Sequence, residues 1–155
     1  ERDTRTVLIF KTPGMSGGQT CTAPVQLLDI YPTLLDACVL PENPKNEGHS
    51  LLPLLKNPQA PWEHFATSVY GVGNISMRDR THRYIVYEDG SEELYDMVND
   101  PNEWNNLANS PKSREIKERF KAALPKTQAP LSPESHYKIN EYWRGKISER
   151  DVADR

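Results

Sequence analysis

The segment Tyr70-Gly71-Val72-Gly73-Asn74-Ile75-Ser76-Met77-Arg78 holds the residues best suited to meet a ligand. Its two glycines let the backbone approach another group closely, and Asn74 and Arg78 bring donors suited to an anionic sugar or a sulfate. The competing reading is a tight turn between two strands, with Arg78 bridging to an acidic neighbour such as Asp79 or Glu88. Elsewhere no catalytic constellation is complete. His49, His64, His82 and His136 show no short ligand spacing such as His-x-His or His-x-x-x-His, so they read as surface or loop residues rather than metal ligands. Gly-x-Ser-x-Gly does not occur, and Gly71-Val72-Gly73-Asn74 lacks the third glycine and the helix of a dinucleotide fingerprint. No catalytic and no metal-binding residue is assigned, and Asn74 and Arg78 are the candidate substrate contacts.

Composition narrows the partners. The chain has 155 residues, 36% hydrophobic content and a formal net charge of -3. That apolar content is low for an independent globule, so part of the chain is expected to lean on another surface. Lys and Arg are scattered rather than gathered in a stripe, which argues against nucleic acid. No run approaches the roughly 18 apolar residues of a membrane span, and no signal region opens the chain. A strand-like run follows Glu1 almost at once, as if a longer polypeptide had been entered partway, and the chain reads as a fragment. Cys21 and Cys38 are too few for a disulfide framework and fit two buried thiols equally well.

The elements that would position these residues follow from pattern. Residues 6–10 form a short apolar run suited to a strand buried on both faces. Leu27, Leu28, Tyr31, Leu34, Leu35 and Cys38 fall near helical spacing, and Pro32 places the helix start near Ile30 or Tyr31, with an end near Val39. Pro41, Pro44 and Gly48 punctuate a boundary between two units. Ser50 can cap a short helix over residues 51–55, which Asn57-Pro58 stops. Four β-like runs follow at residues 65–70, 75–80, 84–88 and 92–97, with Asp89-Gly90 as a two-residue hairpin turn. Ser110-Pro111 starts a helix over residues 110–124, capped by Ser110, with Ile116, Phe120, Ala123 and Leu124 on one face. Glu115 and Arg119 on its other face read as solvated charges. One face of the sheet, Tyr84 with Val86 or Ile85 with Tyr87, is expected to bury Ile116 and Phe120. The polar stretch to Arg155 is a disordered tail, or an arm that packs on a missing surface through Tyr137, Ile139, Tyr142 and Trp143.

Three blocks resemble the sulfatases in family order. They are Pro24-Val25-x-Leu27-Leu28-Asp29-Ile30-Tyr31-Pro32-Thr33-Leu34-Leu35-Asp36, then Gly48-His49-Ser50-Leu51-Leu52-Pro53-Leu54-Leu55, and then Glu93-Leu94-Tyr95-Asp96 leading into Asp100-Pro101-x-Glu103-x-x-Asn106-Leu107-Ala108. Together they span roughly residues 6 to 124, and the likeness is nearest to the formylglycine-dependent iduronate-2-sulfatase and N-sulfoglucosamine sulfohydrolase type. The resemblance implies an α+β fold, in which a small four-stranded antiparallel sheet is packed by a C-terminal helix and preceded by the last strand and helix of an alkaline-phosphatase-like α/β domain. The implied division is residues 1–40 as the remnant of the catalytic domain, 41–127 as the C-terminal subdomain, and 128–155 as a polar arm or tail, with Leu27 to Leu35 anchored on the missing N-terminal domain. The parent enzyme would hydrolyse sulfate esters or sulfamates of a sulfated carbohydrate with formylglycine and calcium, in the periplasm or outside the cell. This segment encodes neither group. Cys21-Thr22-Ala23-Pro24-Val25 matches the family's Cys-x-Pro/Ala-x-Arg at Cys21 and Ala23 but has Val25 in place of the arginine, and the sequence has no Asp-Asp pair for calcium. In the family the turn at Gly73 and Asn74 resembles Gly-Asn-His followed by an arginine, and Ile75 replaces that histidine. Two alternatives stand beside this reading: an interaction module binding through its sheet edge or C-terminal arm, and a related phosphate mono- or diester hydrolase.

Overall fold

The structure, a computed structural model, describes residues 5–130. The arm expected through Tyr137, Ile139, Tyr142 and Trp143 lies outside the described residues, as does His136.

Four strands, β1 (Ala66–Val69), β2 (Ile75–Arg78), β3 (His82–Val86) and β4 (Glu92–Asp96), form one antiparallel sheet in the order β1-β2-β3-β4. Strand alternation sends Ile75 and Met77 to one face, and the register sets Met77 opposite Tyr84 and Tyr84 opposite Leu94. On that face lies a helix, Arg114–Ala122. It brings Phe120 into a nucleus with Ile75, Met77, Tyr84, Leu94 and Ala108, ringed by Phe65, Val86, Leu107, Ile116 and Leu124. The buried face is therefore that of Tyr84 and Val86, and Ile85 and Tyr87 point the other way. Phe120 is fully enclosed, its ring centroid 4.8 Å from Phe65 and 5.7 Å from Tyr84. The four-stranded sheet with its C-terminal helix thus stands as expected.

Local details differ. Asp89-Gly90 does not make a two-residue turn, because Gly90 N–H donates to Tyr87 O at 2.9 Å while Tyr87 N–H donates to Ser91 O at 3.0 Å. Residues 88–90 form the tip enclosed by the Tyr87–Ser91 bond, and among them only Gly90 adopts a positive φ (82°). The Asp89 carboxylate accepts from the Ser91 N–H at 2.9 Å and hydroxyl at 2.6 Å, holding the turn without a left-handed Asp89. Ser110 makes no side-chain cap bond; a 3-10 turn, Pro111–Ser113, precedes the helix instead, closed by Ser113 N–H to Ser110 O at 3.1 Å.

The first half builds a second nucleus from Ala23, Leu51 and Leu54, with Leu8, Phe10, Val25, Leu55, Ala60 and Trp62 around it. Residues 6–10 are not a strand, contrary to expectation. A strand requires a hydrogen-bonded neighbour, and none of the four strands pairs with this run. It lies extended, with Leu8 and Phe10 packed inward and Val7 and Ile9 exposed. A 3-10 turn, Leu27–Asp29, leads into α1, Ile30–Ala37. The helix ends in a Schellman arrangement, Leu40 N–H to Leu35 O at 2.9 Å and Val39 N–H to Asp36 O at 3.1 Å, which places the β-branched Val39 at φ 54° where glycine fits best. α2 covers Leu52–Lys56, and the helix over Arg114–Ala122 is α3. Cys21 and Cys38 are free and exposed, so the buried-thiol reading is corrected. Cys38 falls at the end of α1, beyond its packed face, and Cys21 lies in a loop.

Candidate functional site

The loop between β1 and β2 is held from three sides. Tyr70 N–H donates to Asn74 O at 2.9 Å, and Gly71 and Gly73 take positive φ of 64° and 83°. A β-carbon on Gly73 would sit 2.9 Å from Glu88 Cα, so only glycine lets the β1–β2 and β3–β4 connections touch. Gln128 Oε1 accepts from Gly73 N–H at 2.9 Å, tying the loop to the chain beyond α3. Asn74 spends its side chain locally: Oδ1 accepts from Glu88 N–H at 3.3 Å and Nδ2 donates to Val72 O at 3.2 Å. Arg78 stands at the other end of β2. Its guanidinium donates to the Asp79 carbonyl and to His82 O at 3.4 Å, closing the β2–β3 turn.

Ser76 and Arg78 share the face turned away from α3, where Arg78 pairs directly with Arg83 in the register. Two like charges opposite each other repel, and counter-charge is at hand. Arg83 Nη1 donates to both carboxylate oxygens of Glu103, at 2.7 and 3.0 Å, and its Nε donates to Ser76 Oγ at 3.0 Å. Further along, the hydroxyls of Tyr87 and Tyr95 donate to opposite oxygens of Glu93 at 3.1 and 3.0 Å. Burial, reinforced by the bond to Glu93, raises the Tyr87 phenol and pushes the Tyr95 phenol up to about 12. Both tyrosines are neutral donors here. The result is a prearranged polar face of hydroxyl, guanidinium and carboxylate groups bonded to one another.

The sequence motifs acquire structural reasons. Asp29, buried, accepts from Gln26 N–H and from His49 N–H, both at 2.9 Å, and Leu51 N–H donates to Thr33 Oγ1 at 2.9 Å. Ser50 Oγ donates to the Asp36 carboxylate at 2.5 Å and accepts from Leu52 N–H at 3.3 Å. The block 48–51 is therefore stapled along α1 by side chains of the preceding block. Asp100 accepts from Trp104 and Asn105 N–H at 3.1 and 2.8 Å, and Asn106 Oδ1 accepts from Leu94 N–H at 3.1 Å while Leu107 N–H donates to Leu94 O at 2.7 Å. That segment seals the open edge of β4. Arg119 is not simply a solvated charge. It pairs with Asp79 and lies 5.5 Å over the Phe65 ring, joining α3 to the β2–β3 turn. Burial works to raise the Asp79 carboxyl, but N–H donation from His82 and Thr81 together with Arg119 leaves it below its ordinary value.

Arg83, Glu93 and Glu103 are not assigned as site residues from sequence; Arg83 and Glu103 meet across 20 residues, and Glu93 is reached both by Tyr87 and by Tyr95 on its own strand. The fixed place of Glu103 after Asp100-Pro101 was the available signal. The sequence-assigned pair, Asn74 and Arg78, sits at opposite ends of β2, and every hydrogen bond described above for the two runs to backbone.

The described residues thus present one polar sheet face, backed on its other side by a single helix. Residues 1–130 match the family described as N-sulphoglucosamine sulphohydrolase, C-terminal, and the chain belongs to that family. It is 40% identical over 143 residues to a sulfatase of Formosa agariphila, covering 92% of this chain and 28% of the relative. Human arylsulfatase K is 33% identical over 116 residues, covering 65% of this chain and 22% of the relative. The chain thus spans between a fifth and a third of the length of these relatives. Among solved structures, BT4656 in complex with its substrate D-glucosamine-2-N,6-O-disulfate matches at 25% identity with a TM-score of 0.50, over 62% of this chain and 22% of that one. A phosphonate monoester hydrolase of Silicibacter pomeroyi, 21% identical, shares the fold with a TM-score of 0.58, over 73% of this chain and 26% of that one.

The residues described do not fit the family's formylglycine or calcium. Cys21 faces the Pro58 carbonyl at 3.4 Å, and Val25 offers no guanidinium to hold a hydrated aldehyde. Among the described residues no three His, Cys, Asp or Glu side chains come together to hold a metal ion.

Proposed function

We propose that this chain forms the C-terminal portion of a hydrolase that cleaves sulfate esters or sulfamates of a sulfated sugar. Within that enzyme residues 1–40 complete the catalytic domain, residues 41–127 form a subdomain that shapes the substrate pocket, and residues 128–155 make an arm or tail. The observation that carries this reading is the family match over residues 1–130, joined to an apolar face that the chain leaves open. Leu27, Leu28, Tyr31 and Leu34 on the 3-10 turn and α1 are each at least half exposed, which suits a surface made to be covered by a larger domain. Nucleophile and calcium ligands come from that domain, and the loop bearing Asn74 with the face bearing Arg78 turn toward the sugar. The substrate class is taken from BT4656, whose substrate is a disulfated glucosamine.

The test is to express a polypeptide that extends this chain upstream through a Cys-x-Pro/Ala-x-Arg segment and to assay sulfate release from D-glucosamine-2-N,6-O-disulfate and from simple aryl sulfates. Sulfate release by the long form, none by the 155-residue chain, and a fall in kcat/KM of roughly tenfold in Asn74→Ala and Arg78→Ala are expected. Phosphate-ester turnover without sulfate release would transfer the chain to the phosphatase reading. Variants with unaltered kcat/KM would remove Asn74 and Arg78 from the pocket.

A further inference from the structure

The histidines separated in sequence meet in space. The rings of His49 and His64 are stacked with centroids 3.6 Å apart and planes 20° from parallel, and the Trp62 indole stands edge-on, 4.7 Å from His64 and 6.5 Å from His49. Trp62 is itself fixed, its Nε1–H donating to Pro24 O at 3.0 Å. His49 is tied to the start of α1 through its N–H bond to Asp29, and His64 immediately precedes Phe65, which packs on the sheet nucleus. The stack therefore joins the two nuclei of the molecule across a span that no strand pairing crosses.

We propose that His49 and His64 form an acid-sensitive clasp, which holds the Gly48 segment against the entry to β1 while the stack carries at most one proton and opens when both rings are charged. Two imidazolium rings in face-to-face contact repel, whereas one charged ring over a neutral one does not. The groups acting on His64 agree with this. His64 is exposed, and what little burial its ring has, together with the neighbouring His49, lowers its affinity for a proton, while Asp29 and Glu63 draw the proton on, and the balance lies below the ordinary 6.5. A histidine that takes its proton less readily when folded gives stability that is whole above 6.5 and is lost as pH falls through 6.5 toward the lower folded value. This clasp is independent of the proposed hydrolysis.

The experiment is an NMR titration of the full 155-residue chain from pH 8 to pH 5, following the imidazole carbon-bound protons together with amide exchange at residues 49 and 51. Exchange is corrected for its intrinsic pH dependence. The expected result is a His64 midpoint below 6.5 and a roughly tenfold rise in corrected exchange at the two amides as pH falls from about 7.5 to about 5.5. His49→Phe keeps a stacked ring without the charge, and should raise the His64 midpoint by roughly half a unit or more and flatten the exchange profile. His64→Phe should flatten the profile in the same way. A His64 midpoint that stays put in His49→Phe, or exchange that does not rise with acid in the unaltered chain, would overturn the clasp.

Discussion

At Gly48 a β-carbon would lie 2.1 Å from the carbonyl oxygen of Leu28, which is backbone and cannot swing aside. Gly48→Ala must therefore push the 48–51 segment off α1 and strain the bonds from His49 to Asp29 and from Leu51 to Thr33. A loss of about 3 kcal/mol is expected, read as a lower denaturant midpoint at unchanged slope. Val39 shows the opposite economy. It keeps a β-branched side chain, 91% exposed, in a left-handed C-cap position where glycine is unstrained. With Leu40 it lengthens the open apolar rim of α1.

α3 meets the sheet through the apolar nucleus and, besides the Arg119–Asp79 pair, through a second charged contact. Phe120→Ala empties the centre of the nucleus, and a cost of about 3 to 5 kcal/mol is expected from equilibrium unfolding. The charged contact centres on Glu92 at the start of β4, which accepts from Tyr84 Oη at 2.8 Å, Lys117 Nζ at 3.0 Å and Lys121 Nζ at 2.5 Å. Burial works to raise this carboxyl, yet the bonds from Lys121, Lys117 and Tyr84 outweigh it and bring it down to about 2. A carboxyl lowered on folding stabilises the fold above its unfolded value of 4.5, and this contribution is lost as pH falls from there toward about 2. Midpoints measured between pH 6 and pH 2 should fall less steeply in Glu92→Gln than in the unaltered chain. Equal slopes would show that the network does not couple to folding.

Over the whole molecule the two nuclei differ in closure. The sheet nucleus is sealed by α3 and the segment carrying Leu107 and Ala108, whereas the outer side of α1 leaves Leu27, Leu28, Tyr31 and Leu34 open, and Val7 and Ile9 are exposed as well. The isolated chain should bind a hydrophobic dye. Replacing Leu27, Leu28 and Leu34 together by Gln should at least halve the dye signal while changing stability by less than about 1.5 kcal/mol, since these side chains are exposed. Undiminished dye binding in the variant would place the open surface elsewhere, whereas a cooperatively unfolding monomer that binds no dye would return the chain to the interaction-module reading.

The sequence by itself determined the local elements. Alternation and turn residues located four strands, the spacing of Ile116 and Phe120 marked the face of α3, and Pro32 set the start of α1, because these choices depend on neighbours a few residues away. Motif order was also legible, and with it the family. The tertiary structure alone decided which sheet face is buried, that residues 6–10 pair with no strand, and that Arg119 binds Asp79. It also brought Arg83 to Glu103, bracketed Glu93 between two tyrosines and stacked His49 on His64. Each of those outcomes depends on groups far apart in sequence or on different elements, and only the folded backbone sets such distances; the exception, Tyr95 on Glu93, follows from the pleat that turns both to one face.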